Sequence, residues 1–318
     1  MNLKTDSPYA DFGEVLRWYR KKAGFSQEQL AEGICTREYI RLIEKEKKNP
    51  TIYMIDAFSK KTGINLFDAY ALIISHHDFD THMKIEALNE ALHMNDDERL
   101  FALATKYASL PGFSSGVPLQ IIKYSFSLYY SNVLQDYDKS IQYATEGLSV
   151  SGITSQDMVP SPLLNIIDMS LLLVKGVDLC RSGNYAEGKK HLQFLHECAR
   201  LRIEENRYIA NRNRRIDINM FALSTYNICE FFPDDAENNI PLLDNSISLL
   251  NDYKCSNCLS SLLLYKSAYL YNAGKEKEAK RFFSAGYNLL SCMVSVEKAD
   301  NEAQKILGDK YHLLKTGD

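Results

Sequence analysis

Gln27, Thr36, Arg37, Glu38 and Arg41 bring together the side-chain types that read duplex DNA. Arg37 and Arg41 stand four residues apart, so a helix through them presents both on one face. A guanidinium there can fork onto guanine N7 and O6, and a carboxylate such as Glu38 can accept from cytosine N4. Gln27 opens the preceding helical stretch, where backbone amides and a side-chain amide can hold a phosphate. Lys45, Lys47 and Lys48 extend a basic edge beyond the arginine pair.

These groups need two short helices at a steep angle, the second facing outward with its back in a core. The sequence supplies both. Phe12, Val15, Leu16 and Tyr19 repeat at helical spacing up to a stop at Ala23-Gly24. Ser26 then precedes Gln29 by three, a capping-box pattern for a helix to about Gly33. A third helix is expected over Arg37–Lys45, a fourth from Ile52 to Gly63 and a fifth over Leu66–Ile74. Leu30, Ala31, Ile40 and Ile43 supply the core behind the exposed face. Charge agrees with this placement. The 318-residue chain carries 37 Lys/Arg and 41 Asp/Glu, yet residues 12–65 hold eleven basic against seven acidic. A small basic head on a larger acidic body follows. The competing reading of the head is a helical bundle with a solvated charged face.

The body is helical throughout, with a recurring helix–turn–helix unit. Leu172 to Gly188 and Leu263 to Ala279 share a small residue midway in the first helix (Gly176, Ser267) and another early in the second (Gly188, Ala279). A third unit runs from Tyr124 through Ser140 to Gly147, and a degenerate fourth pairs Ile216–Glu230 with Ile240–Leu250. Less regular pairs are expected over Met83–Tyr107 and Ser295–Leu314. Small residues at those positions let antiparallel helices approach closely, and the spacing resembles the tetratricopeptide (TPR) repeat.

In such a stack the first helix of each pair lines a groove. Common register places Tyr129 and Asn132, Val177 and Arg181, and Leu264, Ala268, Tyr271 and Asn272 on that face, with Ser125, Val133, Leu173 and Cys180 beside them. The degenerate unit adds Asp217, Met220, Ser224 and Asn227 at helical spacing. An Asn amide both donates and accepts, so it can hold an extended peptide backbone without reading its sequence. The alternative for Asn132 and Asn272 is a role at their helix C-termini. Arg212, Arg214 and Arg215 could hold a peptide carboxylate or form a salt-bridging surface.

Other chemistry is not expected. His76, His77, Asp78, Asp80 and His82 lack regular ligand spacing, and Cys255–Cys258 is a lone CxxC without the further ligands a zinc site needs. No phosphate loop, GxSxG elbow or HExxH occurs, so no enzyme and no cofactor is expected. Seven scattered cysteines, no signal-like N-terminus and no long apolar run point to a reduced, cytoplasmic protein without a membrane span.

Residues 12–70 resemble the helix-turn-helix of the Cro/phage-repressor class, on the run Ser26-Gln27-Glu28-Gln29-Leu30-Ala31-Glu32-Gly33-Ile34-Cys35-Thr36 through Ile43-Glu44. With the TPR-like body, nearly the whole chain resembles the RRNPP group of peptide-responsive regulators. Leu42 departs from the class, standing where a polar residue usually faces DNA. The resemblance implies an all-α chain: a helix-turn-helix domain over 1–72, a linker over 73–83, and a right-handed TPR-like superhelix over 84–318. It implies a homodimeric transcription factor that binds two half-sites of double-stranded DNA. A short signalling peptide in the concave face would switch it, as in quorum sensing. The alternative is a TPR-type scaffold for a partner protein that carries a helix-turn-helix domain.

Overall fold

The computed structural model describes residues 12–45, 47–64, 66–67, 79–154, 159–205, 214–256 and 258–315, with the backbone alone at 79, 80, 82 and 205. All regular structure among them is helical. Two compact units are present, residues 1–95 with 109–113, and 96–108 with 114–318.

The first unit begins with α1 (Phe12–Lys22), α2 (Gln27–Ala31), α3 (Arg37–Ile43) and α4 (Ile52–Thr62). Each boundary has a local cause. Ser26 Oγ accepts from Gln29 N at 3.0 Å while Gln29 Oε1 accepts from Ser26 N at 2.7 Å, closing the expected capping box. Thr36 and Thr51 cap α3 and α4 through the hydroxyl alone, accepting from Tyr39 N and Met54 N. Gly63, at φ 72°, ends α4 in the left-handed region that favours glycine. Phe12, Leu16, Leu30, Ala31, Ile40, Ile43, Ile55 and Phe58 form one buried cluster, closed by Leu66. The expected fifth helix lies mostly outside the described residues. So does most of the 73–83 segment.

Helix α5 (Phe79–His93) groups with this first unit rather than with the repeats. Gly112 explains how the 109–113 segment returns to it: a Cβ there would sit 2.0 Å from Thr81 Oγ1, so only glycine permits the approach.

The second unit opens with α6 (Asp97–Tyr107), which packs on the helix that follows it. Four helix pairs follow: α7 (Gly116–Asn132) with α8 (Tyr137–Val150), α9 (Ile166–Arg181) with α10 (Tyr185–Glu205), α11 (Arg214–Phe231) with α12 (Ala236–Asp252), and α13 (Leu259–Asn272) with α14 (Glu276–Met293). Helices α15 (Val296–Leu307) and α16 (Lys310–Lys315) close the end. Each first helix packs on its own partner and on the next first helix, and each second helix packs on the following first helix. That is the TPR arrangement, a superhelix with the first helices along one layer.

The close-approach residues sit where the repeat requires them. A Cβ on Gly188 would meet Cys180 Sγ at 2.4 Å and Gly176 O at 2.9 Å. Ser267 Oγ donates to Ala279 O at 2.8 Å. In the first pair the contact is Ser127 with Ser140, their hydroxyls 2.9 Å apart. The degenerate third pair places Asn239 at the same fourth position of its second helix, donating to Phe232 O and Tyr269 Oη.

Register differs from the sequence expectation in the first pair by one residue. The turn between α7 and α8 takes residues 133–136, one more than the 182–184 and 273–275 turns. Ser127, not Leu128, is therefore the counterpart of Gly176 and Ser267. The third pair has the same longer turn, over residues 232–235.

Candidate functional site

Helix α3 presents the polar face the sequence indicates. Thr36, Arg37 and Glu38 are exposed, as are Lys45, Lys47 and Lys48. Thr36 spends one lone pair on its own helix, accepting from Tyr39 N at 3.2 Å. Arg41 does not stand alone: its Nε donates to Glu38 Oε2 at 2.7 Å, forming an i,i+3 ion pair on the surface. That pairing holds the Glu38 carboxyl below its ordinary range. Lys48 Nζ lies 4.9 Å from the centre of the Tyr39 ring, and Tyr39 Oη donates to Asn49 O at 3.4 Å, fixing the basic edge against α3. Leu42 is half-buried.

Gln27 has a different duty from the phosphate contact expected of it. Its Nε2 donates to Glu44 Oε2 at 2.8 Å. The same carboxylate accepts from Arg20 Nε at 2.5 Å and Arg20 Nη2 at 3.0 Å, while Arg20 Nη1 donates to Phe25 O at 2.8 Å. Arg20 and Glu44 side chains are only 9% and 4% exposed. One carboxylate thus ties α1, the start of α2 and the end of α3 together and sets the angle at which α3 is presented. The sequence carried a signal for it: Arg20 follows Phe12 and Leu16 at i+4 steps along the apolar stripe of α1, where a cation demands a buried partner.

In the repeats, the residues expected to line one face divide. Val177, Met220 and Tyr271 are half-buried, and Arg181, Asn132 and Asn272 are exposed. Asn227 is almost covered, its Nδ2 donating to Leu223 O at 2.8 Å within its own helix. Asn132 Nδ2 donates to Asp97 Oδ2 at 2.9 Å rather than capping its turn. Tyr129 turns toward α6, stacked on Phe101 with ring centres 4.0 Å apart. Ser224 points into the core, where its hydroxyl donates to Phe221 O at 2.7 Å and lies 3.0 Å from His196 Nδ1. Leu264 and Ala268 are buried in a cluster with Ala299, Ala303 and Leu307 of α15.

So Tyr129, Ser224, Leu264 and Ala268 serve packing. For Tyr129 the cause is the one-residue register shift; for Leu264 and Ala268 it is the helix that follows the last pair. Ser125, expected beside the groove, is likewise fully buried. Arg214 lies with its guanidinium 5.0 Å from the Tyr253 ring centre, Arg215 is exposed, and Arg212 falls outside the described residues.

The structure adds residues that spacing alone did not pick out. Asp178 is fully buried and accepts from Ser131 at 2.8 Å and Ser140 at 2.6 Å, joining three helices. Burial pushes its carboxyl up, against the pull of those hydroxyls and of Arg181. Arg181 Nη1 in turn donates to Ser131 Oγ at 3.1 Å and Asp178 Oδ1 at 3.3 Å. Across the layer, Lys305 Nζ of α15 reaches Glu230 Oε1 of α11 at 2.7 Å. Among the described residues no group of three or more His, Cys, Asp or Glu is placed to hold a metal ion, and no helix is long and apolar enough to cross a membrane.

Together these features define a helix-turn-helix unit carried on a TPR-like superhelix. The helix-turn-helix family model matches residues 16–68. Among solved structures, the chain is similar to Bacillus thuringiensis PlcR, in complex with the peptide PapR7 and DNA. Identity is 12% and the TM-score 0.65, covering 91% of this chain and 98% of that one. ComR from S. thermophilus, in complex with DNA and its signalling peptide ComS, is similar at 12% identity and TM-score 0.58, over 94% and 99% of the two chains. The PrgX/iCF10 complex is similar at 14% identity and TM-score 0.54, over 93% and 95%. No curated protein sequence matches. The shared property at these identities is the fold, along nearly the whole length of each chain.

Proposed function

We propose that this chain is a transcriptional regulator. Its α2–α3 pair binds double-stranded DNA, and a short signalling peptide bound along the first-helix layer of the repeats switches that binding. The observation that carries the reading is the coexistence, in one chain, of an outward Arg37/Glu38/Arg41 face on a rigidly braced α3 with a repeat layer. That layer ends in the exposed polar groups Asn132, Arg181 and Asn272, with the almost covered Asn227 beside them. The three similar structures are complexes of PlcR with PapR7 and DNA, of ComR with DNA and ComS, and of PrgX with iCF10. One helix-turn-helix contacts few base pairs, so useful specificity calls for two half-sites and a homodimer. The protein acts in the cytoplasm, without catalysis.

The test is a duplex selection followed by a linkage measurement. Full-length protein selects an operator from random duplexes. Operator affinity is then measured with and without peptides fractionated from the host culture. Thermodynamic reciprocity requires that a peptide change DNA affinity by the factor by which DNA changes peptide affinity. Asn227→Ala should weaken the peptide about 5- to 150-fold and leave peptide-free DNA binding unchanged. Peptide curves that coincide with and without operator would refute the switch. Capture of a folded partner protein in place of a peptide would favour the scaffold alternative.

A further inference from the structure

Glu38 and Arg41 stand one turn apart on α3, and they meet through a single edge of the guanidinium. Arg41 Nε donates to Glu38 Oε2 at 2.7 Å, and Arg41 Nη2 donates to Glu38 Oε1. Those two donors are the side edge of the fork. Arginine carries five N–H groups in one rigid plane. With the side edge taken, the far edge keeps one N–H on Nη1 parallel to one on Nη2. Among the described residues no group other than Glu38 accepts from Arg41. The pair lies on the surface, with Arg41 41% and Glu38 59% exposed. Two parallel N–H donors on one edge are what guanine O6 and N7 accept in the major groove.

We propose that Glu38 is a positioning residue for base reading: it holds Arg41 by the side edge, so that the far edge meets a guanine, and does not itself contact a base. The inference rests on the DNA-binding reading above and deepens it, because it assigns a guanine to the operator position under Arg41. It replaces the cytosine contact that the residue type of Glu38 alone would allow.

Two physical effects favour this division of roles. A free arginine on a helix surface samples many rotamers, and ordering it on DNA costs free energy; a bidentate partner does the ordering beforehand. The second effect is charge. A lone carboxylate facing phosphates opposes binding to every sequence, and a lone guanidinium favours binding to every sequence. Paired, the two nearly cancel at long range. Arg41 then adds little to non-specific affinity, and its contribution depends on the base beneath it.

The test is a double-mutant cycle read base by base. Full-length protein selects an operator from random duplexes. Affinity is then measured for that operator, for each of its single base-pair variants and for a random duplex. The proteins are wild type, Arg41→Ala, Glu38→Ala, Glu38→Gln and the double variant Glu38→Ala with Arg41→Ala. At the position that Arg41→Ala relaxes, wild type is expected to prefer guanine by about 5- to 150-fold. Glu38→Ala should lower the preference at that same position by about two- to fivefold while tightening the random duplex. Glu38→Gln keeps one acceptor for the guanidinium and should retain part of the preference. In the Arg41→Ala background, Glu38→Ala should alter no base preference and only tighten all duplexes alike. Equal melting curves of the five proteins establish that the differences arise at the interface. A Glu38→Ala loss at another base pair, or one that persists without Arg41, would show that Glu38 reads a base directly and overturn the positioning role. A guanine preference unmoved by Glu38→Ala, or a base other than guanine at the Arg41 position, overturns it as well. Each of these outcomes leaves the DNA-binding reading standing. Failure of wild type to select any operator overturns that reading and this inference with it.

Discussion

Replacing Glu44 with alanine should unfold the DNA-reading head while sparing the repeats. The Glu44 carboxylate takes three hydrogen bonds, two from Arg20 and one from Gln27, in a site nearly closed to water. After truncation Arg20 keeps only its bond to Phe25 O and becomes a buried cation without a counter-charge. Removing one partner of a buried pair typically costs about 3–5 kcal/mol. A head of this size has on the order of 3–9 kcal/mol of stability, at roughly 0.05–0.15 kcal/mol per residue. The substitution therefore removes much or all of it. The assay uses a convenience of the sequence: Trp18 on α1 is the single tryptophan, so its fluorescence reports the head alone, whereas helical ellipticity is dominated by the repeats. With a urea slope of about 1 kcal/mol/M, the fluorescence midpoint should fall by about 3 M or more. The ellipticity transition should hardly move. Replacing both partners by apolar groups, Arg20→Met with Glu44→Leu, should recover most of the loss, because the desolvated charge is gone. A fluorescence shift below about 1 M for Glu44→Ala would show that the carboxylate is dispensable to the head, and the bracing argument would fail.

Three further outcomes are expected. Arg41→Ala should cost about 1–3 kcal/mol at the selected operator and relax base preference there, whereas Lys48→Ala should weaken all duplexes alike and flatten the salt dependence; equal losses on specific and random DNA for Arg41→Ala would remove it from base reading. Gly188→Ala should destabilise the repeats by about 1–3 kcal/mol in thermal melts, since the added carbon meets Cys180 Sγ at 2.4 Å and a backbone oxygen at 2.9 Å; an unchanged melt would mean that the pair can slide apart without penalty. His196 is buried and held at a pKa of about 4, below its ordinary value near 6.5. Above pH 6.5 both folded and unfolded forms are neutral there. As pH falls from 6.5 to 4 the unfolded chain takes up the proton first, so stability declines by about 3 kcal/mol and then levels off. A His196→Asn variant whose stability falls as steeply over that window would contradict the assignment.

Element types and their caps were legible from the chain alone, and the reason is local. The Ser26–Gln29 capping box and the Gly63 stop each depend on groups within four residues. The small-residue contacts Gly176–Gly188 and Ser267–Ala279 recur at fixed spacing, so the repeat and its helix pairing could be read before any coordinates. The outward Thr36, Arg37 and Glu38 likewise follow from helical periodicity over seven residues. What only the tertiary structure decided depends on distant groups. Gln27 looked free because its partner, Glu44, lies seventeen residues on and is drawn in by a cation on another helix. Tyr129 looked groove-facing because a single extra turn residue, invisible to spacing, rotates α7 by one position. Leu264 and Ala268 looked open because the helix that covers them starts more than twenty residues later. The bond between Lys305 and Glu230 likewise joins two helices across seventy-five residues of chain. Periodicity fixes which way a side chain leaves its own helix; only packing fixes what it meets there, because that partner is set by the stacking of elements remote in sequence.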